Sequence, residues 1–124
     1  MYDVTVDRED GQWTAQAVDF PEALDFASNL RALKSGMIDA IILAADLPDD
    51  ATVELRFLPG KTLDDVLTRA LELSETRRIL HVQEQELLDA TKENVTLLLR
   101  EGYSVRDVAA LTGITHGRVS QLVA

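Results

Sequence analysis

The sequence of 124 residues contains no cysteine. Disulfides, thiolate chemistry and cysteine-ligated zinc are therefore excluded. Histidine occurs only as His81 and His116, so a histidine-rich metal site is excluded as well. Aromatic residues make up 5 % of the chain, which means that any core must be mostly aliphatic. No apolar run approaches the roughly 20 residues needed to span a bilayer. The opening MYDVTVDRED has neither the basic start nor the apolar stretch of a secretory leader. The expectation is a cytoplasmic protein with no cofactor and no metal.

Positive charge is also scarce: 12 Lys and Arg stand against 22 Asp and Glu, a net charge of −10. The balance is uneven. Residues 1–60 hold four basic against twelve acidic residues, and residues 61–101 hold six against nine. Residues 102–124 hold two against one, the only stretch that is not acidic. Such a chain is unsuited to non-specific nucleic-acid binding, but a local contact by one helix remains open. The acidic front suits a basic partner.

The front half reads as a small sheet with one helix. Tyr2, Val4 and Val6 alternate with Asp3, Thr5 and Asp7, the pattern of a half-buried strand. Asp10-Gly11 signals a hairpin turn, and Trp13, Ala15 and Ala17 alternate on the return strand up to Pro21. A third short strand is expected near Ala23–Phe26. Ser28 or Asn29 could cap a helix to about Asp46, with Leu30, Leu33, Met37, Ile38, Ile41, Ile42 and Ala45 at spacings of three and four. Val53, Leu55 and Phe57 then mark a last strand closed by Pro59-Gly60. The order is β-β-β-α-β over residues 1–60, an α+β unit.

Neither proline nor glycine occurs between Gly60 and Gly102. Thr62 could cap the start of helix there, with Asp64 and Asp65 in its first turn. One or two helices are expected over Thr62–Ala90 and another over Lys92–Glu101. Residues 61–90 would be a core helix of a two-domain protein or a connector that also packs against its mate in a dimer. The heptad pattern is irregular for a coiled coil.

The last stretch, residues 91–124, includes SVRDVAALTGITHGRVSQLVA. Gly113 supplies the backbone freedom for a tight turn, and Ala109, four residues earlier, is small enough to let two helices approach. Val108, Ile114, Val119 and Leu122 form the apolar face, with Ser104 and Thr115 as caps. Val95, Leu98 and Leu99 would pack inward from a third helix. This spacing resembles the DNA-binding helix-turn-helix of bacterial repressors. The outward positions of its second helix are Thr115, His116, Gly117, Arg118, Ser120 and Gln121. The N-terminal part of such a helix enters the major groove. Arg118 suits guanine O6/N7 and Gln121 suits adenine N6/N7. Thr115, His116 and Ser120 could serve bases or phosphates, Gly117 allows close approach, and Arg106 and Arg100 suit phosphates. One copy offers few cations, so binding as a dimer on two half-sites of operator DNA is expected.

The front half, on YDVTVDREDGQWTAQAVDFPEA, the helix ending Ala-Ile-Ile-Leu-Ala and the strand VELRF, resembles the HicB antitoxin family over about residues 2–58. The resemblance implies a degenerate ribonuclease-H-like unit joined to a C-terminal DNA-binding motif. It implies an antitoxin of a type II toxin–antitoxin system. The front unit would neutralise a small basic messenger-RNA-cleaving toxin, HicA, and the tail would repress the operon. The alternative is a stand-alone dimeric helix-turn-helix regulator with no toxin partner. A metal-dependent nuclease would need Asp3, Asp7 and Asp19, with Asp39 from the helix, to gather around ions. Acidic residues on the outer face of a half-buried sheet are ordinarily just solvated, so no enzymatic activity is expected. Trp13 reads as core, packing against Tyr2 or Val4, with a partner-binding anchor as the minority reading. His81 has no expected role.

Overall fold

The computed structural model describes all 124 residues, Met1–Ala124. The architecture is α+β, with a four-stranded mixed sheet and four helices. Contacts divide the chain into two units, Met1–Thr76 and Arg77–Ala124. No helix is long and apolar enough to cross a membrane.

In the first unit, β1 (Tyr2–Glu9) and β2 (Gln12–Ala17) form an antiparallel hairpin with Glu9 opposite Gln12. The two loop residues, Asp10 and Gly11, both have positive φ, 51° and 77°. That is the turn whose twist matches the flanking strands, and glycine at its second position avoids the steric cost. β3 (Leu24–Ala27) pairs antiparallel with β2, one residue beyond the expected place. Helix α1 (Leu30–Ala44) follows, its first turn closed by Asn29, whose side chain accepts from the Ala32 N–H at 2.8 Å. β4 (Leu55–Pro59) then joins the sheet parallel to β1. The strand order is β3-β2-β1-β4. Val53 lies ahead of β4 and is buried in the core instead of extending the strand.

Alternation decides which face is covered. Val4, Val6, Ala15 and Ala17 share one face and are buried with Leu33, Met37 and Ile41 of α1. Asp25 of β3 lies on the same face, and a Cβ at Gly36 of α1 would overlap its carboxylate. Gly36 thus lets helix and edge strand approach closely.

From Asp65 to Arg100 the chain is a single helix, α2, of 36 residues. The break expected near Ala90–Lys92 does not occur, because nothing between Gly60 and Gly102 interrupts helical backbone. Nor does Thr62 cap it. Asp64 does, accepting from the Leu67 N–H at 2.8 Å, while Thr62 is held by Asp7. Leu63, Leu67, Ala70 and Leu71 close a small apolar cavity of about 70 Å³ with Val6, Trp13, Leu30 and Phe57.

The second unit gathers the end of α2 with α3 (Val105–Thr112) and α4 (His116–Leu122). Its core is Val95, Val108, Ala109 and Val119, packed against Leu98, Leu99 and Ile114. Each short helix has the cap expected of it. Ser104 accepts from the Asp107 N–H and Thr115 from the Arg118 N–H, both at 3.1 Å.

Candidate nucleic-acid interface

The turn between α3 and α4 sets the site. Gly113 has φ 78°, and its N–H donates to the Ala109 carbonyl at 2.9 Å. This left-handed C-cap ends α3 and redirects the chain within three residues. Val119 is then fully buried against Val108 and Ala109. Burial of Val119 fixes which side of α4 faces out.

All eight candidate residues are exposed. His116, Gly117, Arg118, Ser120 and Gln121 lie on α4, with Thr115 at its cap. Arg106 is in the first turn of α3, and Arg100 ends α2. Four of the eight make side-chain hydrogen bonds within the motif. The Thr115 hydroxyl accepts from Arg118 N–H, and the Ser120 hydroxyl donates to the His116 carbonyl at 3.2 Å. Arg118 and Gln121 sit one turn apart, guanidinium to amide oxygen at 3.4 Å. A Cβ at Gly117 would meet nothing within 4 Å. The longer side chains on the exposed side of α4 are His116, Arg118 and Gln121, the last two bonded to each other. The only acid in residues 102–124 is Asp107, on α3.

No protein-family model, curated protein or solved structure matches this chain.

Two features escape the spacing of the motif. Tyr103 is exposed in the turn before α3. Arg118 also borders a groove lined by Glu84, Leu87, Leu88, Ile114 and Leu122. An aromatic beside Gly102 could have flagged the first; the groove depends on α2 being continuous.

In the first unit the acidic candidates are spread apart. Asp3 and Asp7 share the outer face of β1, as their alternation expects. Asp3 is held by Arg56 through two bonds of 2.8 Å, which lowers its pKa below the ordinary carboxylate value and raises that of Arg56. Arg56 also lies 3.6 Å from Glu75 of α2. Asp7 accepts from Thr62. Asp19 is exposed beyond β2, and Asp39 is exposed on α1. No group of three or more acidic or histidine side chains is placed to hold an ion.

Trp13 is half-buried, opposite Arg8, whose guanidinium lies 4.5 Å from the ring centroid. It does not pack across the hairpin on Tyr2, which stands against Phe20 with ring centroids 6.1 Å apart. Pairing in the hairpin puts Trp13 opposite residue 8, at the far end of β1 from Tyr2. His81 is exposed on α2.

Proposed function

We propose that the chain is an antitoxin and autorepressor: α4 reads operator DNA, and the acidic first unit neutralises a small basic messenger-RNA-cleaving toxin of the HicA kind. The observation that carries the DNA-binding reading is α4 itself. Its buried side is anchored by Val119, and its outward side presents His116, Arg118 and Gln121 with no acid. Arginine and glutamine are side chains that pair bidentately with guanine and adenine. The reading of α3–Gly113–α4 as a helix-turn-helix is supported by the left-handed Gly113 between two short capped helices and by their shared core with the end of α2.

The toxin-binding reading rests on the resemblance of residues 2–58 to HicB antitoxins and on charge. The element order β-β-β-α-β of the first unit, expected from the residues themselves, supports this reading. Glu9, Asp10, Asp19, Glu22, Asp39, Asp46, Asp49 and Asp50 are all exposed on the first unit. A basic partner would gain both attraction and faster encounter from such a surface.

The test uses the full chain as bait in extract of its own cells, read by mass spectrometry, with a parallel gel-shift on DNA upstream of its own gene. Recovery of a small basic ribonuclease encoded next door, together with a shifted band, supports both halves. A shifted band with no protein recovered leaves a stand-alone regulator. Absence of both a recovered partner and a shifted band, with the bait shown to be folded, overturns the proposal.

A further inference from the structure

Helix α2 does more than join the two units. Its inward positions are Leu67 and Leu71 near the sheet and Val95, Leu98 and Leu99 in the second core. Another row is left uncovered. Leu73, Leu80 and Leu87 are 48 %, 53 % and 68 % exposed, and they recur at intervals of seven residues. On a helix, such residues stay in one stripe with a drift of about 20° per interval. Asn94 continues the series, and it too is exposed. Three residues after each of these come Thr76, Gln83, Ala90 and Leu97, all exposed. The two rows occupy the inner positions of a heptad frame from Leu73 to Leu97, the first rich in leucine and the second mixed, which is why the heptad reads as irregular in the sequence.

We propose that this stripe is the seam of a parallel, two-stranded coiled coil with a second copy of the chain. Three features favour a second copy in parallel register. First, leucines meet leucines across a two-fold axis, so the patch is complementary to itself. Thr76 and Ala90 are small enough to bring the helices close. Second, Asn94 is the single asparagine in the leucine series. A buried asparagine at that position pairs with its own counterpart and fixes both register and strand number. Third, the flanking charges agree. In parallel register Glu72 of one copy, which also pairs with Arg69 of its own helix, faces Arg77 of the other, and the remaining flanking pairs are Ile79 with Glu84, Glu86 with Thr91 and Glu93 with Leu98. No two acids meet. The antiparallel register that best matches leucines places Leu80 against Leu97 and sets Glu86 against Glu93 twice, a like-charge clash at each end.

The seam is independent of DNA. It does supply what the proposed function needs, since it brings two copies of α4 to the same end of a shared axis.

The experiment is sedimentation of the full chain without DNA. A dimer at micromolar concentration is expected. Leu80→Glu together with Leu87→Glu should raise its dissociation constant more than about a hundredfold. Both leucines are exposed in the single chain, so circular dichroism should still show a folded helix. Orientation is read from Asn94→Cys, in a chain with no other cysteine. Mild oxidation should give one disulfide-linked dimer. A monomeric wild-type chain, or a dimer untouched by the two glutamates, overturns the seam. An Asn94→Cys variant that still dimerises but does not cross-link overturns the parallel register. Because no step uses DNA, failure here is separate from failure of the DNA-binding reading.

Discussion

Asp7 and Thr62 lock the start of the long helix to the first strand. One carboxylate oxygen of Asp7 accepts from both the backbone N–H of Thr62, at 2.9 Å, and its hydroxyl, at 2.7 Å. The Thr62 oxygen in turn accepts from the Arg8 N–H at 3.0 Å. A Cβ at Gly60 would overlap the same carboxylate, so the neighbouring glycine makes room for the lock.

Asp7→Ala removes two of these bonds and should cost about 1–3 kcal/mol. The change is read in urea by the fluorescence of Trp13, the only tryptophan, which reports the first unit alone. Thr62→Val should cost a similar amount. The double variant should cost clearly less than the two together, because the pair acts as one unit. Additive losses would mean that the two residues do not cooperate.

The Asp3–Arg56 pair gives a pH signature. Arg56 holds the Asp3 carboxyl below its ordinary value of 3.8, chiefly by hydrogen bonding. A carboxylate lowered on folding stabilises the folded state above its ordinary pKa, and that contribution is lost as pH falls through the folded value. Asp3→Asn should therefore lower the thermal midpoint of the Trp13 signal at neutral pH. The gap from wild type should close as pH drops below 3.8 toward the folded value. Both side chains are about one-third exposed, so the gap should also narrow in high salt. A gap independent of pH would show that the pair is not its source.

Gly113→Ala tests the turn. At φ 78° a Cβ costs about 1–2 kcal/mol even in open space. Amide exchange at Val108 and Val119 should quicken by about tenfold or more, while amides of the sheet keep their rates. Unchanged exchange in the second unit would mean that the turn is not held in this conformation.

Gly117→Ala separates folding from binding. The residue is helical and its added methyl meets nothing in the chain, so α4 should gain about 0.5–1 kcal/mol. If α4 lies against DNA at this position, affinity should fall although stability rises. Higher stability with undiminished affinity would place Gly117 away from the DNA.

Much of this was legible in the residues. Alternation fixed the faces of β1 and β2, and Asp10-Gly11 named the hairpin turn. Ser104, Gly113 and Thr115 declared their helix ends, and Ser28 or Asn29 that of α1, where Asn29 is the cap, because caps are local chemistry, visible within four residues. The absence of proline and glycine between Gly60 and Gly102 made the continuity of α2 legible, but not its exposed row. The residues packed in the second core overlap the Leu73–Leu80–Leu87 row in angle, Leu98 standing about five turns after Leu80, and superposed they blur any single period. Which row faces out is settled only by what packs on the helix. The partners of Thr62 and Trp13 were hidden for the same reason: each depends on a residue brought near by the fold. The outward residues of α4 were found from the offset of Gly113, while the helix contacts of the Thr115 and Ser120 hydroxyls, to the Arg118 N–H and the His116 carbonyl, were not.

The central claim is that α4 reads base sequence, and Arg118 tests it most directly. The measurement is selection of bound duplexes from a random pool by the full chain at moderate salt, repeated with Arg118→Ala. The wild type should enrich a motif with two-fold-related halves. Arg118→Ala should cost about 1–3 kcal/mol on that motif and flatten the preference at one base pair in each half. A pool that shows no enrichment, or a motif and affinity left unchanged by Arg118→Ala, would contradict it.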